Sequence, residues 1–383
     1  MNKRSNMNNT TDTAKRPPVA FAAIDTYVER NMVSPKETKT PGDGERYKWG
    51  DGDRFPQYLA ELYDEVTTLR SVIDGCVDFA CGDDVSFMGS PETPVNKTGM
   101  LPLDALQILE HNFFLYGVLC AEVIRDRMGR IVELYPVDPR WIRTNKDNTV
   151  FWYSEKWGKA GAIKAETMPA FLPGLEQRWL SLTDDERDRH ASSIIYVKRD
   201  RTHVYPAPPF AAALKACEIE RCIDNYHLNA LDNGFTGSAL VNFNNGEPDD
   251  AQKEEIERTF NEKFSGHSNA GRIVFSWNPS KEQAATIETP KVEDFGDRYN
   301  ALAKHSRQQI FTAFRANPNL FGIPTESLGF SSEEYEAAFK LFNRTQIRPA
   351  QRMVTDVFSK AFGPGSLVIK PFSLEGAAET NVN

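Results

Sequence analysis

The chain has 383 residues, 40% of them apolar and 26% charged, and a net charge of −9; its mean hydropathy is −0.51. Such values suit a folded soluble protein large enough for more than one packed unit, and no uninterrupted apolar run is long enough to span a bilayer. A tight nucleic-acid binder carries a basic excess, so any contact with DNA is expected to be weak or confined to small patches.

The start, MNKRSNMNNTTDTAKRPP, has no apolar stretch of the secretory kind. It reads as a polar, disordered arm, and the Gly- and charge-rich sequence up to residue 52 as its extended continuation. Over residues 56–80 the apolar positions Leu59, Leu62, Val66, Leu69, Ile73, Val77 and Ala80 recur at three and four, which predicts one helix. Pro56 suits its first turn and Gly82 its stop. A second helix is expected over 103–115 and ends at Gly117. The period then changes to two, and GVLCAEVIRD, RIVELYPVD, RWIRTN and TVFWYSE read as successive strands joined by DRMG and NKDN turns. Residues 156–190 are ambiguous apart from a short helix capped by Thr183, and SSIIYVKRD is a further strand.

A long helix is predicted over about 209–232, with Pro209 at its start and Asn233-Gly234 at its end. Its small residues, Ala211 to Ala213, Ala216 and Cys217, fit close approach by neighbouring helices and equally fit plain helix propensity. Strand, helix and two strands follow: GSALVNFN, PDDAQKEEIERTFNEKFSG, AGRIVFSW and QAATIET. A second long helix covers 291–316, with Val292, Phe295, Tyr299, Leu302, Ile310 and Phe314 on one rough stripe. A third covers 332–362 and is expected to bend near Pro349; SLVIKPF is a last strand. The connector between the second and third helices is unusual. It is rich in Gly, Pro and Ser yet carries Phe321, Ile323, Leu328 and Phe330, although connectors run over a wet surface.

No phosphate-binding loop, H-E-x-x-H helix or nucleophile elbow is present, and the six histidines are isolated in sequence. The five cysteines include two C-x4-C pairs, but five helical residues rotate about 140°, so the members of a pair do not share a face. They read as buried structural thiols in a reducing, cytosolic setting. Asp51 and Asp53 lack the later ligands of a calcium loop. Asp83-Asp84 reads as a helix-end turn, and Asp249, Asp250, Glu254 and Glu255 as a solvated helix face. No catalytic residue, metal ligand or cofactor site is indicated.

The order of these segments resembles the portal proteins of tailed bacteriophages, of the siphophage type. The resemblance runs from about Phe55 to Phe362. It is carried by YGVLCAEVIRDRMGRIVELYPVDPRWIR, PPFAAALKACEIERCIDNYHLNALDNGFTGSALVNFN, GHSNAGRIVF and RQQIFTAFRANPNLFGI. It implies an α+β, portal-like fold. After the arm at 1–52 come a strand-rich wing at 53–205 and two stem helices, at 206–234 and 291–320. A small α/β clip at 235–290 is inserted between the stem helices. A tunnel loop at 321–332, a long wing helix at 333–363 and a short tail at 364–383 complete the chain; the tail is too brief for a full helical crown. The implied tunnel-loop residues are Phe321, Gly322, Ile323, Pro324, Thr325, Glu326, Ser327, Leu328, Gly329, Phe330, Ser331 and Ser332. Neighbouring loops and the adjoining helices would shield the apolar members. Glu254, Glu255 and Arg258 of the clip would face a docking partner.

The implied role is structural, not enzymatic: a ring, typically of twelve copies, at one capsid vertex of a virion assembled in the host cytoplasm. Double-stranded DNA would pass through the lumen, whose lining is expected to be acidic or mixed because each phosphate–cation contact acts as a brake. The implied partners are other copies of the chain, the large terminase subunit, the major capsid protein and a head–tail connector, with no membrane. The competing readings are a metal-dependent DNA-processing enzyme and another phage head adaptor or scaffold.

Overall fold

The computed structural model describes residues 32–40, 45–159, 163–200, 202–232, 239–243, 273–277, 295–323 and 332–373. Its helices are α1 (Phe55–Glu65), α2 (Thr67–Cys81), α3 (Pro102–Tyr116), α4 (Asp184–His190), α5 (Leu214–Asp232), α6 (Phe295–Phe314), α7 (Ser332–Phe342) and α8 (Arg348–Phe362). The strands are β1 (Thr38–Lys39), β2 (Tyr47–Lys48), β3 (Asp84–Phe87), β4 (Val118–Arg125), β5 (Ile131–Pro136), β6 (Ile142–Thr144), β7 (Val150–Tyr153), β8 (Glu166–Pro169), β9 (Ser192–Lys198), β10 (Ala239–Phe243), β11 (Ile273–Trp277) and β12 (Leu367–Lys370).

The stripe over 56–80 forms two helices, not one. Val66 is extended, with φ −101° and ψ 103°. It opens a β-branched run, Val66-Thr67-Thr68, which is a weak place in a helix, and a distant carboxylate takes advantage of it. Glu220 of α5 accepts a hydrogen bond from the Thr68 N–H at 3.1 Å, satisfying a donor that the new helix start leaves open.

Both predicted hairpin turns form, each organised by one side chain. The Asp126 carboxylate accepts from the Met128 and Arg130 N–H groups at 2.8 and 2.9 Å. The Asn145 amide oxygen accepts from Thr149 and Val150 at 2.8 and 3.2 Å. This is how Asp and Asn direct a turn. The strands do not make one sheet, however. Pro139–Trp141, capped by Asp138, turns the chain out of the antiparallel sheet β5-β4-β9 into a second one, β6-β7-β8. A backbone bridge between Ala170 and Ile194 joins the two sheets, and Phe151 of the second packs on Tyr196 of the first at 5.2 Å. The ambiguous stretch holds α4, whose Thr183 capping box with Glu186 is complete. It also holds β8, which the sequence did not reveal.

Helices α2, α3 and α8 pack together over the β5-β4-β9 sheet and form one large apolar core. The last strand, β12, returns to pair antiparallel with β3. Gly82, the stop signal of α2, meets this return. Its φ is +70°, and a Cβ there would lie 2.0 Å from the Lys370 carbonyl oxygen. Asp84, read as part of a turn, is therefore the first residue of a strand. The long terminal helix is interrupted as expected. Pro349 cannot donate back along the helix, and the turn Asn343–Ile347 just before it is a π turn.

Residues 32–40 and 45–53 differ from the extended arm that the composition suggests: they are clasped to the body. β1 and β2 pair, and Trp49 stacks on Tyr205 at 4.5 Å. Tyr205 donates its hydroxyl to the Tyr47 carbonyl, and its own N–H donates to Glu37, both at 2.6 Å. At the centre lies Arg143, with no exposed surface. Its guanidinium donates to the Asp53 carboxylate at 2.5 Å, to the Asp53 carbonyl at 2.9 Å and to the carbonyls of Arg140 and Ile142. The Trp157 and Trp49 rings lie 5.3 and 6.0 Å from it. Asp53 also accepts from the Trp49 N–H at 2.8 Å. Asp is among the few side chains that tolerate its φ of +62°.

All five cysteines are free thiols, and only Cys222 is partly exposed. Burial, with the Glu110 charge beside it, pushes the Cys81 thiol up to about 12. Glu110 on α3 is itself fully buried. Neither of its carboxyl oxygens has a hydrogen-bond partner among the described residues, and burial raises its pKa to about 8.

Two stability measurements follow. Removing one member of a buried, fully bonded ion pair strands the other. Arg143→Ala is therefore expected to cost about 3–5 kcal/mol in chemical denaturation, whereas Lys340→Ala, which breaks an exposed pair with Glu336, should cost under about 0.5 kcal/mol. Glu110 holds a proton in the fold that it loses on unfolding above its ordinary value of 4.5. The folded state thus binds more protons between pH ~4.5 and ~8, and stability declines as pH rises through that window. Glu110→Leu should flatten this decline and raise stability at pH 8; an unchanged pH profile would contradict the burial of a neutral carboxyl.

Candidate functional site: the foot of the connector

Helices α5 and α6 lie side by side and run antiparallel. Phe210, just before α5, stacks on Phe314 at the end of α6 at 5.5 Å, and His227 late in α5 meets Tyr299 early in α6 at 6.0 Å. Between α5 and α6 in the sequence, β10 and β11 pair in parallel from Ala239↔Ile273 to Phe243↔Trp277. The α5 helix is also tied to the body. Glu218, fully buried, receives two 2.8 Å hydrogen bonds from Arg221, and Arg221 reaches Glu65 of α1 at 3.3 Å.

After α6 the chain makes a short turn, Pro318–Phe321. The Asn317 side chain opens it by accepting from the Asn319 N–H, and Gly322 closes it in the left-handed conformation at φ +73°. Phe321 then enters an aromatic nest. Its ring centroid lies 5.7 Å from Phe311 of α6, 6.0 Å from Phe79 of α2 and 5.8 Å from Phe342 of α7. Phe79 is the hub, since it also touches Phe339 at 5.6 Å, Phe342 at 6.0 Å and Phe372 at 5.0 Å. Several of these contacts are edge-to-face, which the ring quadrupole favours. The seat for Phe321 is Gly75 of α2: a Cβ there would lie 2.6 Å from two atoms of the ring.

Of the residues expected in the tunnel loop, Phe321, Gly322 and Ile323 are thus placed at its foot. Phe321 and Ile323 are half-buried against the chain's own core, so adjoining helices account for their apolar character. Ser332 begins α7. Pro324, Thr325, Glu326, Ser327, Leu328, Gly329, Phe330 and Ser331 lie outside the described residues, as do Glu254, Glu255 and Arg258. Sequence reasoning missed the hub Phe79 and the seat Gly75. A glycine inside a predicted helix costs about 1 kcal/mol relative to alanine, and that was the available signal. Among the described residues, no group of three His, Cys, Asp or Glu side chains is arranged to hold a metal ion, and no helix is long and apolar enough to cross a membrane.

The family model described as phage portal protein matches residues 97–375, from the approach to α3 to the end of the nest. The chain belongs to the phage portal protein family. That family is structural rather than catalytic. A chain from the neck of an empty gene transfer agent particle, computed with C6 symmetry, has a similar fold. The likeness has a TM-score of 0.50 at 16% identity and covers 92% of this chain and 90% of that one. An uncharacterized protein of Rickettsia felis is 33% identical over 134 residues, 34% of this chain and 33% of that protein. One of Rickettsia bellii is 27% identical over 175 residues, 45% of this chain and 43% of that protein. This portal-family chain therefore aligns with only a third to under a half of the length of these curated relatives.

Gly75→Ala separates packing from propensity. Alanine would stabilise a helix interior by roughly 0.5–1 kcal/mol, but its methyl displaces Phe321. We expect net destabilisation and a rise in protease cleavage within 321–332; a more stable, equally resistant variant would mean that Phe321 does not occupy this seat.

Proposed function

We propose that the protein is a portal: copies close into a ring, typically of twelve, at one vertex of a phage capsid, and double-stranded DNA passes through the ring during packaging and ejection. The family match over residues 97–375 carries this reading. The order of elements supports it: two antiparallel helices flank an insert, and the second leads through an apolar-footed connector into another long helix. The related chain from a gene transfer agent neck, with its symmetric arrangement, points the same way.

On this reading α5 and α6 form the stem (206–234 and 291–320), and β10 and β11 belong to the clip (235–290). Residues 53–205 form the wing, and 321–332 the loop facing the lumen. Glu254, Glu255 and Arg258 of the clip would meet the large terminase subunit during packaging and a head–tail connector afterwards, while the wing contacts the major capsid protein. The packaging energy comes from the terminase, since this chain has no phosphate loop. The lumen needs to centre the duplex without holding it, so few free cations should line it. Assembly takes place in the host cytoplasm.

Negative-stain images and mass measurement of the purified full chain test the proposal. The expected particle is a ring with a central hole that admits a duplex; a monomer, or a compact oligomer without a hole, would overturn it.

A further inference from the structure

Helix α6 ends in a two-bond C-terminal motif that normally requires glycine. The Arg315 N–H donates to the Thr312 carbonyl and the Ala316 N–H to the Phe311 carbonyl, both at 3.0 Å. This pairing is the Schellman arrangement, and it places Arg315 at the left-handed position that glycine usually fills. Arg315 has φ +53°. A long side chain there is held against the backbone's preference, and such a cost is retained where the side chain has a use.

Arg315 does not use its charge among the described residues. It is exposed, as is Arg199 at the end of β9. Among the described residues neither guanidinium has a hydrogen bond or an ion pair. Burial and the nearby Arg315 charge both push the Arg199 guanidinium down. The two cations lie near enough to repel each other, in a chain that holds 54 acidic residues against 45 Lys and Arg.

A small recess opens at Arg199 and at Phe314, the residue before Arg315. It encloses about 50 Å³, with Cys76, Phe113 and Phe114 at its apolar wall and Arg199, Thr345 and Gln346 at its polar side. The π turn that precedes Pro349 brings Thr345 and Gln346 there. The Thr345 hydroxyl donates to the Leu341 carbonyl at 2.8 Å, whereas the Gln346 amide has no partner among the described residues.

Size and shape select the ligand. The volume suits one small group better than a whole sugar or base. A duplex phosphate is fixed on a broad cylinder and does not reach into a recess, whereas a carboxylate on a side-chain stalk does. Guanidinium forks match carboxylate geometry, and a ring brings one copy's surface against a different surface of the next.

We propose that Arg199, Arg315 and Gln346 form a receptor for a carboxylate side chain of the adjoining copy, so that the site is complete only in the ring. This inference rests on the ring proposed above. Arg315→Gly and Arg199→Gln test it in the full chain, with mass photometry over a range of concentrations and salt, alongside thermal melts. Arg315→Gly relieves the left-handed strain, so its monomer should melt higher than wild type while the ring dissociates at a protein concentration at least ~10-fold greater. Arg199→Gln should also weaken the ring, and both variants should lose part of the wild-type salt dependence. If wild type forms rings and both variants form them equally well, the receptor is overturned and the ring stands, and an effect confined to DNA retention in such rings would assign the pair to DNA instead. If wild type stays monomeric at every concentration, the ring reading falls and the receptor with it.

Discussion

Both ends of the connector between α6 and α7 are moored to one ring, that of Phe79. Phe321 reaches it from the outgoing end, and Phe339 and Phe342 from the returning helix. A loop whose ends share an anchor has a fixed base whatever its tip does. The anchor is rigid because Phe79 belongs to α2, which is packed in the core, and because Gly75 lets the Phe321 ring lie against the backbone of that helix. Apolar residues in a connector are costly in water; here at least two of them are spent on this mooring.

The charged interior follows a related logic. Two of its buried groups are bonded to partners far away in sequence, so that each fixes one segment against another. Arg143 and Asp53, 90 residues apart, hold the segment before α1 to the second sheet. Glu220 and Thr68, 152 apart, join the start of α2 to α5. Such bonds add little net energy over an apolar substitute, yet they penalise any other docking of the same segments. Glu110 departs from the pattern: it has no partner and takes up a proton instead.

What the sequence disclosed was local. Pro56, Gly117, Asp126, Asn145 and Thr183 act within a few residues, and the elements they start or stop were legible from them. The period of apolar positions gave the long helices within a turn or so. What it hid was set at a distance. Val66 breaks a continuous stripe because a carboxylate from α5 stabilises the new start. β3 was obscured because its partner β12 lies some 280 residues away. The division into two sheets follows from one short turn at Pro139. The connector stood out as anomalous, but only the family resemblance suggested what it serves, and its hub, Phe79, lies off the apolar stripe read over 56–80.

Phe210 and Phe314 are stacked where α5 begins and α6 ends. Contact between the two helices is stacked at that end, and α6 reaches about 30 Å from it, past the looser edge contact of His227 with Tyr299. A tilt of about 5° at the stacked rings carries the opposite tip through roughly 2–3 Å, by the rise per residue of an α-helix. In such a tilt the aromatic pair would be the fulcrum, and Phe314 stands seven residues before Phe321. Any load applied at the remote tip would thereby reach the base of the connector with its displacement geared down.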